Sequence, residues 1–99
     1  MNPNISELPI PLAVSSGGKA VELARIWAAG GKQHVSIAMQ LWNDPAAWGI
    51  MLVDLARHVA NAYEQTDGRD RTEVLARIKA GFDAEWETPT DTHDGNLSD

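Results

Sequence analysis

Asp54, Arg57, His58 and Asn61 stand at i, i+3, i+4 and i+7, so on a helix of 3.6 residues per turn they share one polar stripe. An aspartate and a histidine one turn apart can hydrogen-bond, which orients the imidazole for proton transfer or for metal ligation. The ordinary outcome for such a stripe is a solvated helix face whose intrahelical ion pairs contribute a few tenths of a kcal/mol each. A third reading places it inside a self-association interface, with Arg57 pairing with a carboxylate of the other chain.

Other chemistry is thinly supported. His34, His58 and Asp54 supply three metal ligands only if a polar face carrying His34 turns toward the stripe, and no HxxxH or HExxH spacing accompanies them. No metal and no cofactor is therefore expected, and no residue is assigned as catalytic. Ser15, Ser16 and Ser36 lack the setting of a nucleophile elbow. Gly17-Gly18 and Gly30-Gly31 are isolated pairs without GxGxxG or GxxxxGK[ST], so they read as hinge and turn rather than phosphate cradles. The four tryptophans are many for a small core. Trp48 and Trp86 fall on apolar stripes and read as core, whereas Trp27 and Trp42 are candidates for contact with a ligand or partner.

The 99 residues make one domain with a small core, near the size at which self-association often completes the fold. Without cysteine, a disulfide framework, a thiolate nucleophile and a cysteine zinc site are excluded. A net charge of −6 argues against binding nucleic acid, which calls for clustered Lys and Arg. The longest apolar run, Ala46 to Val53, is far shorter than the roughly 20 residues that cross a bilayer. Met1 to Val14 lacks the basic start, long apolar run and small-residue cleavage site of a secretory signal, so none is expected. The expectation is a soluble cytoplasmic protein with no membrane and no nucleic-acid partner.

The elements that must position these residues follow from pattern. Residues 1–18 hold Pro3, Pro9, Pro11 and Ser15-Ser16-Gly17-Gly18, and read as a flexible leader in which Leu8 to Leu12 forms a polyproline-like strap. Val21 to Ala28 fits either a helix or a strand. Val35, Ile37, Met39 and Leu41 alternate with polar or small residues, which marks a strand. A turn at Gly30-Gly31 then sets Ile26 opposite Val35, Ala24 opposite Ile37 and Trp27 opposite His34, so a hairpin of Leu23 to Ala29 with Lys32 to Gln40, entered by a helical turn at Lys19 to Glu22, is favoured. Asp44 caps a central helix with Pro45 at its first position. Trp48, Met51, Leu52, Leu55, Val59, Ala62 and Tyr63 recur at helical steps and are expected to be buried against a second helix. That helix starts at Asp70, runs to about Glu87, and presents Val74, Leu75, Ile78, Phe82 and Trp86. Thr88-Pro89 ends it, and residues 89–99 read as a disordered acidic tail.

The series Glu7-Leu8-Pro9-Ile10-Pro11, Ala24-Arg25-Ile26-Trp27, Gly31 to Ser36, Trp48-Gly49, Asp54 to Ala60 and Gly68-Arg69-Asp70 resembles a family of short bacterial proteins known only as a domain of unknown function. Ala56-Arg57-His58-Val59-Ala60 is its most distinctive piece. The resemblance implies no activity, ligand or catalytic residue.

The expected fold is α+β over residues 19–88: a two-stranded antiparallel hairpin packed on an antiparallel pair of helices, with a dimer partner completing the sheet. The expected function is a small non-enzymatic interaction or scaffold protein acting as a homodimer, by itself or with another protein. Its interface is expected to use the hairpin together with Ala47, Ile50 and Val53. The alternative is an enzyme or small-molecule binder using Asp54, Arg57, His58 and Asn61.

Overall fold

The computed structural model describes residues 4–90. It is α+β, with helix α1 (Leu12–Ser16), strands β1 (Ala24–Ala29) and β2 (Lys32–Ile37), and helices α2 (Ala46–Asp67) and α3 (Arg71–Glu87). Met1 to Pro3 and the expected tail from Asp91 to Asp99 lie outside the described residues. The chain forms two compact units, divided after Ala38.

In the first unit, β1 and β2 pair antiparallel in the expected register, with Ala24 opposite Ile37, Ile26 opposite Val35 and Trp27 opposite His34. Gly30 and Gly31 take φ of 60° and 74°, the double left-handed turn whose twist matches that of the strands. Val21 to Ala28 is thereby settled as an approach followed by strand. The amide of Ala38 donates to the Leu23 carbonyl at 3.0 Å and prolongs the ladder by one pair. Strand pairing does not reach Gln40, whose φ of 67° turns the chain out of extended geometry. Lys19 to Glu22 is not helical; helix forms earlier, at α1, where the Ser15 and Ser16 hydroxyls donate to the Leu12 carbonyl at 3.3 and 2.7 Å.

In the second unit, the Asp44 carboxylate accepts from the Ala46 amide at 2.9 Å, and Pro45 already has helical angles, as its fixed φ favours. Asp70 caps α3 through the Thr72 amide at 2.8 Å. Between the helices, Gly68 takes φ of 74°, and its N–H donates to the Glu64 carbonyl at 3.0 Å. A Cβ on Gly68 would meet no neighbour, so its cost is conformational alone. Gly68→Ala is expected to lower stability by about 1 kcal/mol in urea unfolding, with unchanged secondary structure.

The packing of α2 on α3 departs from the expected stripe. Ala60 and Val74, 2% and 4% exposed, are the fully buried residues among those described. Ala56 and Asn61 on α2, and Leu75 and Ile78 on α3, are half-buried around them. Alanines let the two helix axes approach closely, so α3 settles on the Ala56–Ala60 ridge rather than on the larger side chains. Trp48 and Met51 are half-buried, but Leu52, Leu55, Val59 and Tyr63 remain 45%, 43%, 39% and 41% exposed, and Ala62 is exposed too. Phe82 and Trp86 are also exposed, Trp86 at 74%, with their rings stacked at 5.6 Å. The expectation that Trp86 fills the core is therefore corrected.

At 100° per residue, Leu52, Leu55 and Val59 lie roughly 80° to 140° around α2 from Ala60 in one sense, and Ile50 about 80° in the other. Because α3 runs antiparallel, Phe82 and Trp86 turn to the side of Ile50. The uncovered face of Leu52, Leu55 and Val59 thus lies on the opposite side of α2 from Ile50, which shares its side with Asp54, Arg57 and Asn61.

Candidate functional site

The polar stripe of α2 does not converge on a point. Arg57 Nη1 lies 3.7 Å from Asp54 Oδ1, with both side chains 64% exposed, a geometry in which an ion pair contributes at most about 1 kcal/mol. Asn61 turns to α3 instead, its Oδ1 accepting from Arg71 Nη1 at 3.2 Å. His58 is exposed and joins neither contact. Trp42 meets Trp48 edge-on, with ring centroids 4.9 Å apart and planes at 77°, which covers the first turn of α2. Trp27 and His34 belong to the hairpin, where His34 Nε2 donates to the Ala29 carbonyl at 3.3 Å. Among the described residues no cluster of three His, Cys, Asp or Glu is placed to hold a metal ion.

The first unit contains a cleft that the sequence reading missed. Its volume is about 500 Å³, with walls that include Leu8, Ile10, Pro11, Val14, Ile26 and Trp27. Arg25 stands at its polar end with two carboxylates. Its Nε donates to Glu22 at 2.9 and 3.0 Å, and its Nη1 donates to Glu7 at 3.0 Å. Glu22 first, and then Glu7, hold the guanidinium in its charged form and push its pKa above the ordinary value. Periodicity could show that Arg25 lies on the polar face of β1. It could not show a contact 18 residues away in sequence. The one available signal was that Glu7 to Pro11 and Ala24 to Trp27, two stretches of the family resemblance, carry these residues.

Arg25→Ala is expected to free the leader from β1. Amide exchange should accelerate over residues 5–12 while the hairpin amides keep their protection. Unchanged exchange in the leader would show that Glu7 does not tether it.

The fold defines a small α+β domain, a glycine-turned hairpin joined to an antiparallel helix pair. Residues 7–90 match the model of the family described as "Domain of unknown function (DUF5076)", and the chain belongs to that family. It is similar to a solved structure described as "a putative pyruvate dehydrogenase from the photosynthetic bacterium Rhodopseudomonas palustrus CGA009", with 31% identity, a TM-score of 0.70, and 99% of this chain and 100% of that chain covered. No curated protein matches the sequence. No helix among the described residues is long and apolar enough to cross a membrane.

Proposed function

We infer that the protein is a small non-enzymatic interaction module that works as a homodimer in the bacterial cytoplasm. The observation that carries this reading is the face of α2 formed by Leu52, Leu55, Val59 and Tyr63, which α3 leaves uncovered. These four side chains are adjacent on the helix and remain 45%, 43%, 39% and 41% exposed, a contiguous apolar face of the kind that a partner covers. A second copy offers the same patch, and an interface with a two-fold axis is self-complementary. We place the interface on this face rather than on the hairpin with Ala47, Ile50 and Val53, because α3 leaves the main stripe of α2 uncovered. Sedimentation of the full chain at micromolar concentration tests the reading. Twice 10.8 kDa is expected, and a single species at 10.8 kDa removes it.

The cleft beside Arg25 favours a second reading, a small-molecule binder, since its volume falls in the range of ligand sites. The stripe at Asp54, Arg57, His58 and Asn61 supports that reading less well, being dispersed and solvated. The name of the solved relative suggests pyruvate as ligand. At the polar end of the cleft, two carboxylates outweigh one guanidinium, which disfavours an anion and suits an apolar amine. A thermal-shift comparison of pyruvate with hexylamine tests this, since a ligand of the folded state raises its apparent stability. Stabilisation by hexylamine alone supports it, and none by either compound removes it.

A further inference from the structure

We propose that α2 pairs with α2 of a second copy in antiparallel orientation, with the two-fold axis level with Arg57. The inference rests on the homodimer reading and specifies its geometry.

Trp48, Leu52, Leu55, Val59, Ala62 and Thr66 follow one another at alternating steps of four and three, the spacing of a coiled-coil seam. The helix is 22 residues long, so the seam runs nearly its whole length of about 33 Å. Inside the chain Trp48 is half-buried against Trp42, but Leu52, Leu55, Val59, Ala62 and Thr66 stay exposed, because α3 packs on the Ala56–Ala60 ridge around the helix. The seam is also graded in size. Its N-terminal half carries Trp48, Leu52 and Leu55, and its C-terminal half the smaller Val59, Ala62 and Thr66. The Thr66 hydroxyl donates to the Ala62 carbonyl at 2.7 Å, which satisfies its polar atom locally and leaves its methyl group free to pack.

Reversing one copy about the level of Arg57 sets Trp48 against Thr66, Leu52 against Ala62 and Leu55 against Val59. Every layer then joins a large side chain to a smaller one, so the helix separation stays even and voids are avoided. A parallel pair would set Trp48 on Trp48 and Ala62 on Ala62, spreading the helices at one end and leaving a gap at the other. The antiparallel arrangement also opposes the two helix dipoles.

The absence of cysteine makes the geometry directly measurable. Gln65→Cys is exposed and lies beside the seam, so a spin label there reports orientation without disturbing it. Antiparallel pairing places two labels about 25 Å apart along the axis, whereas parallel pairing places them about 10 Å apart. In a second measurement, Leu55→Cys and Val59→Cys proteins are mixed, dissociated, reassociated and oxidised. The mixed disulfide is expected to exceed either self-disulfide, since each cysteine faces the other position across the axis. A dimer with labels near 10 Å, or with self-disulfides predominating, overturns the antiparallel pairing and leaves the homodimer standing. A monomer by sedimentation overturns both.

Discussion

Leu55→Lys is expected to reduce the protein from twice 10.8 kDa to 10.8 kDa at micromolar concentration. Leu55 sits in the middle of the uncovered seam, where a partner would enclose the ammonium without a counter-charge. Leaving a charge buried and unpaired in such a layer costs about 3 to 5 kcal/mol, and a symmetric interface carries the substitution twice. In the separated chain the residue is 43% exposed, so the lysine can extend its head into water. Circular dichroism then separates a monomer that keeps its helices from one that unfolds because the helix pair depends on its partner. Ile50→Lys is the matched control, because Ile50 lies on the opposite side of α2 and should leave the mass unchanged. A Leu55→Lys protein that stays dimeric with unaltered stability would show that the seam is not the interface.

Ala60→Leu should produce the largest effect inside the helix pair. Ala60 is 2% exposed and lies on the ridge that seats α3 near Val74. Three additional heavy atoms there must force the axes apart or push side chains out of their rotamers, at a cost of about 1 to 3 kcal/mol. For a chain of this size, that lowers the melting temperature by about 4 to 8 °C per kcal/mol, compared at equal protein concentration. The same change at Ala80, exposed on α3, should stay within about 0.5 kcal/mol. Equal effects at the two positions would mean that the alanine ridge is not what sets the helix separation.

The local features of this protein were determined by its sequence, because each depends on residues within a turn or two of one another. Gly30 and Gly31 impose the hairpin and, through the period of two, its register. Asp44 with Pro45, Gly68 and Asp70 set the helix boundaries through backbone geometry and side-chain caps that no distant contact has to supply. The apolar arc of α2 was equally legible, but which part of it α3 would take was not. Hydrophobic periodicity ranks side chains by their aversion to water, whereas close packing of two helices selects the small residues that admit the nearest approach, so Ala60 was buried and Leu55 left over. The candidate site divided in the same way. Spacing placed Asp54, Arg57, His58 and Asn61 on one stripe, but only the tertiary structure could draw Asn61 to Arg71 and join Arg25 to Glu7, since neither bond lies within one turn of helix or one step of strand.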